Sequence, residues 1–171
     1  MRSRLCPPAC GLPRLPDGHS CLPRLPSTNS WLLEQSDACG QVCLAEQQTA
    51  GRGRRGRVWQ SPDSANIYLS LRWCFPQVPP HYGWLGLETG VAVARALADY
   101  GLQGHALKWP NDVYHAGRKL GGILLQTANP LQQVVIGIGL NTGMQAALAG
   151  GIDQPWCDLG ELLGKRLTAT S

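Results

Sequence analysis

The sequence predicts an α+β fold, a β-sheet carrying helices, from three observations. Residues 66–73 alternate at period two, with Ile67, Leu69, Leu71 and Trp73 on one face and Tyr68, Ser70 and Arg72 on the other, the pattern of a strand. From Trp84 to Tyr100 the apolar residues Trp84, Leu87, Val91, Ala94, Leu97 and Ala98 recur every three or four positions, which makes an amphipathic helix with Gly101 where a C-terminal cap belongs. The whole order reads helix, strand, strand, long helix and then three or four strands, so helices gathered on one face of a sheet are expected.

Taken in order, residues 1–26 are rich in proline, carry three cysteines and repeat Leu-Pro steps at Leu12-Pro13, Leu15-Pro16, Leu22-Pro23 and Leu25-Pro26. Neither helical nor strand periodicity is present there, and a disordered tail is expected. Ser27, Thr28 and Asn29 supply capping groups ahead of Trp31, Leu32 and Leu33, so a short helix starts here and stops near Asp37 to Gly40. Val42 to Ala45 reads as a buried strand that delivers Glu46, Gln47 and Gln48 to the segment beyond it. After the long helix, His105 to Trp109 forms a strand halted by Pro110. Val113 to His115 and Lys119 to Gln126 flank Ala116-Gly117 as a hairpin, Gln132 to Leu140 is a further strand, and Asp158 to Leu167 is helical.

With 171 residues, 43% hydrophobic and 15% charged, the chain has the size of one globular domain. Its net charge of +4 is local, because it gathers in one loop and the preceding tail. No apolar run is long enough to cross a bilayer, and the N-terminus is too rich in Pro and Gly for a signal peptide; a soluble cytoplasmic protein is expected. The seven cysteines lack zinc-site spacing and are read as free thiols.

That loop is Gly51-Arg52-Gly53-Arg54-Arg55-Gly56-Arg57, closed by Val58 and Trp59. Its glycines allow close approach of the backbone to a ligand, while four guanidiniums repel one another, so the loop should stay mobile until an anion arrives. The pattern matches Gly-x-Gly-x-x-Gly, yet Trp59-Gln60-Ser61-Pro62 opens no helix, which rejects a dinucleotide fingerprint. A phosphate or carboxylate held by Arg forks and backbone N–H groups is the ligand it suits, against a solvated basic loop or a nucleic-acid contact. Lys108, at the end of its strand beside Pro110, either holds an anion or is an ordinary exposed strand lysine. Asn111 and Asp112 either cap a turn or offer oxygens to Mg²⁺. Trp59 clamps a ring or joins the core, and Asn141 forms a turn or donates to a ligand. There is no Gly-x-Ser-x-Gly, no Cys paired with His and no carboxylate cluster, so covalent catalysis is not expected. The residue set suits a reaction that gathers negative charge, such as a carboxylate attacking the α-phosphate of a nucleotide.

Ser27-Thr28-Asn29, Gln48 to Arg57 with Trp59, Lys108-Trp109-Pro110-Asn111-Asp112, Lys119 to Leu124 and Gly137-Ile138-Gly139-Leu140-Asn141 together resemble, in order and spacing, the catalytic domain of the biotin–protein ligases. The resemblance implies a mixed sheet related to class II aminoacyl-tRNA synthetase catalytic domains. It implies activation of biotin by ATP, with Mg²⁺, to biotinyl-5′-AMP and transfer to a lysine of a biotin carboxyl carrier domain. Carried over by position, Ser27, Thr28, Asn29 and Gln48 hold biotin's ring, and Arg52, Gly53 and Arg54 line the side where its carboxylate reacts. Lys108 bridges carboxylate and phosphate, which makes Lys108 and Arg54 the catalytic candidates. Arg52, Arg57, Trp59, Asn111, Lys119 and Asn141 fall on the ATP side, and no residue is assigned as a metal ligand.

The same resemblance divides the chain into the tail over 1–26 and a catalytic domain over 27–171 that is truncated at its C-terminus. The family's apolar strand before Ser-Thr-Asn is replaced here by the proline-rich segment and is expected to be missing. No membrane contact is expected, and no DNA binding either, for want of a winged-helix domain; a homodimer is left open. The alternatives are a catalytically impaired fragment or pseudoenzyme of the same family, a lipoyl or octanoyl ligase, and a nucleic-acid binder working through the basic loop.

Overall fold

A computed structural model describes residues 19–35, 39–62, 66–127, 132–144 and 152–165. Its centre is one mixed seven-stranded sheet in the order β1-β2-β3-β7-β6-β5-β4. The strands are β1 (His19–Leu25), β2 (Val42–Gln48), β3 (Asn66–Cys74), β4 (His105–Lys108), β5 (Asp112–His115), β6 (Arg118–Thr127) and β7 (Gln133–Asn141), with helices α1 (Thr28–Glu34), α2 (Gly83–Asp99) and α3 (Leu159–Leu163). β1 runs parallel to β2, and every other neighbouring pair is antiparallel. The Ala116-Gly117 hairpin is present, with φ of 46° and 76° at those two residues, as a two-residue turn requires.

The first correction is β1. Residues 19–25 were expected to belong to a disordered tail, and the strand before Ser27 was expected to be missing; the segment instead pairs with β2, burying Cys21 and Leu25. Prolines hid it. At the sheet edge, however, a missing N–H costs no ladder bond, and the pairing passes over Pro23 between Leu22↔Ala45 and Arg24↔Gln47. Residues 1–18 of the expected tail lie outside the described residues.

The second correction concerns the helices, which lie on both faces of the sheet. α1 packs on β2, β3 and β7, whereas α2 packs on β4, β5 and β6 from the opposite side. Along β7 the alternation makes this visible: Val135 meets Leu32 of α1, while Val134 and Ile136 meet Leu85 of α2, and Leu140 meets Val93, Leu97 and Leu159. α2 spans nearly the expected residues but turns a different stripe inward. Gly86, Gly90, Val93 and Leu97 are buried, and Trp84 is 63% exposed. The two glycines let the helix settle on Leu107, Ile123 and Leu125, whose side chains reach 3.3 to 3.7 Å from where a Cβ would stand. α1 and α3 are shorter than expected. α3 ends at Gly164, whose φ of 62° stops the helix, and the expected end of α1 at Asp37 falls outside the described residues.

The same two-sided covering decides which face of β3 is buried. Tyr68, Ser70 and Arg72 lie under α1 at 1%, 0% and 1% exposure, while Ile67 and Trp73 on the apolar-looking face stay half-exposed. Arg72 is buried because it is a tie between elements: one Nη donates to Gln133 Oε1 at 2.7 Å and the other to the Leu32 carbonyl at the end of α1. Arg72→Met keeps the volume but leaves both acceptors without that donor, at ~1 to 3 kcal/mol each. Urea unfolding is therefore expected to show a loss on the order of 2 to 6 kcal/mol, and a midpoint equal to that of the parent chain would refute the tie.

The third correction is to the free thiols. Cys39 and Cys74 form a disulfide, with Cα atoms 5.7 Å apart. The β2–β3 register explains the pairing, since continuing Val42↔Leu71 three residues outward sets Cys39 opposite Cys74. Cys21, Cys43 and Cys157 are free and buried. Burial raises the pKa of all three, that of Cys43 to about 12, so they are protonated and poor nucleophiles at neutral pH.

Candidate functional site

On the α1 face of the sheet lies an open cavity of about 410 Å³, bounded by the N-terminal turn of α1, the arginine loop and the β4–β5 turn. Three glycines of β6 and β7, Gly122, Gly137 and Gly139, make room for it. A Cβ at Gly137 would collide with the Asn29 carboxamide, and one at Gly139 would stand 2.8 Å from the Trp59 ring. Side chains from two distant segments therefore lie directly on the sheet.

At one end is a hydrogen-bonded network that no single segment contains. Ser27 caps α1 by accepting from Ser30 N at 3.4 Å. Gln48 Oε1 accepts from the Thr28 backbone at 2.8 Å and from its hydroxyl at 3.2 Å, and Gln48 Nε2 donates to Ser61 at 3.2 Å. Ser70 Oγ lies 2.7 Å from Thr28 Oγ1 and 2.5 Å from Asn29 Oδ1. The Asn29 amide donates to Gln126 Oε1 at 2.9 Å and to the Leu124 carbonyl at 3.4 Å. Both amide donors of Asn29 and one acceptor site of its oxygen are thus engaged within the protein, which makes Asn29 an anchor for α1 more than a free ligand donor. Ser70 and Gln126 were missed in the sequence; a serine inside an apolar strand was the available signal.

At the other end the arginine loop forms a closed turn. A bridge between Arg52 and Val58, and bonds from Gly53 N to Arg57 O and from Arg57 N to Arg54 O, close it around a single 3-10 turn at Arg54–Gly56. Arg54 Nη1 donates to Asn111 Oδ1 at 3.1 Å, and Asn111 Nδ2 donates to the Ile123 carbonyl at 2.9 Å, so Asn111 ties the loop to the β4–β5 turn and to β6. Arg52 reaches Ser30 Oγ at 3.4 Å. Lys108, on the edge strand β4, is exposed; its ammonium lies 3.4 Å from the Tyr114 hydroxyl and 4.6 Å from the centre of that ring.

Lys119 pairs with Asp112 at 2.9 Å and sits 5.5 Å from the Trp59 ring centre. Arg52, Arg54, Arg55, Arg57, Lys108 and Lys119 therefore line the cavity against one carboxylate, Asp112, that is already paired. Such an excess of fixed cations in a partly enclosed space suits a polyanion. Trp59 forms part of the floor, and its buried Nε1 lies against Gly139 with no hydrogen-bond partner among the described residues.

Ser27, Thr28, Asn29, Gln48, Arg52, Gly53, Arg54, Arg57, Trp59, Lys108, Asn111 and Lys119 thus come together around one space. Asn141 does not line it. Its amide, 5% exposed, donates to the Cys157 carbonyl at 3.0 Å and the Lys119 carbonyl at 3.4 Å, holding the segment before α3 against β6. The expectation of a direct ATP contact there is replaced by support for the Lys119 backbone. Among the described residues no group of three His, Cys, Asp or Glu side chains could hold a metal ion, and no helix is long and apolar enough to cross a membrane.

Comparison with known proteins gives the same site a lineage. The chain is 42% identical over 145 residues to the bifunctional ligase/repressor BirA of Salmonella typhimurium, covering 82% of this chain and 45% of that protein. It is 46% identical over 123 residues to the biotin–[acetyl-CoA-carboxylase] ligase of Mycobacterium tuberculosis, covering 67% and 46%. The chain thus spans less than half the length of these curated relatives. Among solved structures, the biotin protein ligase of Aquifex aeolicus in complex with biotin and ATP superposes with a TM-score of 0.78 at 31% identity, over 90% of this chain and 64% of that one. Its fold is that of the biotin and lipoate ligases, related to class II aminoacyl-tRNA synthetases. With the model of the biotin/lipoate A/B protein ligase family matching residues 21–141, through β1, the arginine loop and the cavity strands, the chain belongs to that family.

Proposed function

We propose that the chain activates biotin with ATP and transfers it to a lysine of a biotin carboxyl carrier protein. The observation that carries this is the division of the cavity into two chemistries: the Thr28–Gln48–Ser70 network at one end and six cations around one paired carboxylate at the other. A ligand with a small polar ring, an apolar stem and a terminal carboxylate matches the first end, and a nucleotide triphosphate matches the second. The relatives named as biotin ligases, and the neighbour solved with biotin and ATP, support the same pair of substrates.

In the first step a biotin carboxylate oxygen attacks the α-phosphorus of ATP, the bond to the β-phosphate oxygen breaks, and pyrophosphate leaves. Two anions must approach, and Arg52, Arg54 and Lys108 offset their repulsion. Thr28 and Gln48 fix the ring so that the carboxylate projects toward the arginine loop. In the second step a neutral lysine amine attacks the acyl carbon, AMP leaves with the bonding pair, and the amine loses a proton. Mg²⁺ would arrive with the phosphates and neutralise part of their charge, since Asp112 faces Lys119 and Asn111 Oδ1 faces Arg54. A cytoplasmic location is proposed with this activity.

Incubating the purified chain with biotin and [α-³²P]ATP is expected to produce biotinyl-adenylate and stoichiometric pyrophosphate. Ligand should at the same time protect residues 51–57 from protease. Protection without pyrophosphate would mean a chain that binds but does not turn over, and neither result would reject the function.

A further inference from the structure

Two side chains on the cavity rim make no hydrogen bond or ion pair among the described residues. Trp109 follows Lys108 at the end of β4 and is 79% exposed, with no hydrogen bond or ring contact among the described residues. An indole held open to water gains nothing from the fold, and its large apolar surface is available to a partner. Arg55 stands at the tip of the 3-10 turn with φ 56° and ψ 37°, the left-handed region, and its guanidinium has no partner among the described residues. That backbone costs a side-chain-bearing residue ~1 kcal/mol or more relative to glycine.

The two belong to one surface. Arg54, next to Arg55, bonds Asn111, two residues beyond Trp109, and Val58 at the other end of the loop adds a 73% exposed apolar side chain. The rim is therefore a tryptophan and a valine set among arginines, with no unpaired carboxylate beside them among the cavity-lining residues.

We propose that Trp109 and Arg55 form the docking rim for the acceptor domain, a protein that presents its target lysine from a face carrying acidic side chains. The inference rests on the function proposed above, because transfer requires a protein-borne amine to enter this mouth, and whatever carries it must lie against the rim. Tryptophan and arginine are the side chains that most often dominate such contacts. Acidic groups on the partner meet the uncompensated cations, speed encounter and offset the repulsion that the incoming lysine meets.

The test uses the full chain with Trp109→Ser and Arg55→Glu, and as probe a recombinant unbiotinylated biotin carboxyl carrier domain. Calorimetric binding and transfer at subsaturating carrier are each expected to fall tenfold or more in both variants, with pyrophosphate release from biotin and ATP alone within twofold of the parent in Trp109→Ser. Neutralising the carrier's acidic residues nearest its acceptor lysine should reproduce the Arg55→Glu loss and not add to it. Unchanged carrier binding in both variants overturns the rim, as does a parallel fall in pyrophosphate release in Trp109→Ser. Loss of self-association in sedimentation, with carrier binding intact, assigns the surface to a second copy and also overturns it. A parent chain that makes no adenylate but binds carrier through Trp109 leaves the rim standing and defeats the proposed function instead.

Discussion

Replacing Lys108 with alanine is expected to slow single-turnover pyrophosphate release roughly a hundredfold at saturating biotin and ATP, while biotin affinity changes little; the loss corresponds to ~3 kcal/mol for one preorganised donor. The reasoning starts from position. β4 is the edge strand, so its last side chain projects into the cavity mouth with no neighbour strand beyond it. The ammonium lies by the Tyr114 hydroxyl and ring, a weak neutral partner that an arriving anion outcompetes. Its attraction grows as carboxylate and phosphate oxygens converge, so it lowers the barrier more than it tightens ground-state binding. Lys108→Arg keeps the charge, but a wide planar group cannot occupy the place of a compact ammonium, and rescue should be poor. A wild-type rate in Lys108→Ala would reduce Lys108 to an exposed edge-strand lysine.

For Arg54→Gly the expected change is in fidelity. Release of the acyl-adenylate should rise on the order of tenfold, the equivalent of losing one charge-assisted hydrogen bond, while adenylate formation continues. Arg54 does two things at once: it presents positive charge to the cavity and it pins the loop to Asn111 at 3.1 Å. Glycine removes both and adds backbone freedom to a turn that already holds Gly53 and Gly56. The mixed anhydride then escapes and acylates lysines of bystander proteins. Incubation with bovine serum albumin and mass spectrometry of its lysines reads this directly. Labelling confined to the carrier lysine, with adenylate release unchanged, would remove this role from Arg54.

Much of this protein was legible before any fold was known. Local chemistry sufficed for α1 after Ser27, for the Ala116-Gly117 hairpin, for α2 from its repeat and for the glycine-arginine loop, because each depends on residues close in sequence. The cavity-lining residues were legible for the same reason: strand ends and turns carry side chains with no core to fill.

Tertiary structure alone decided the rest. Whether a Leu-Pro segment pairs depends on its standing at an edge, and β1 forms because β2 offers one. Which face of β3 is buried depends on α1 lying across it, so Arg72 went inside and Trp73 stayed half out. Cys39 meets Cys74 only through the β2–β3 register, and Asn141 turned inward because its amide donates to the Cys157 and Lys119 carbonyls, both distant in sequence. Local sequence reports the conformations a segment can adopt, whereas burial and satisfied polar groups belong to pairs of segments, and those pairs exist only once the sheet has assembled.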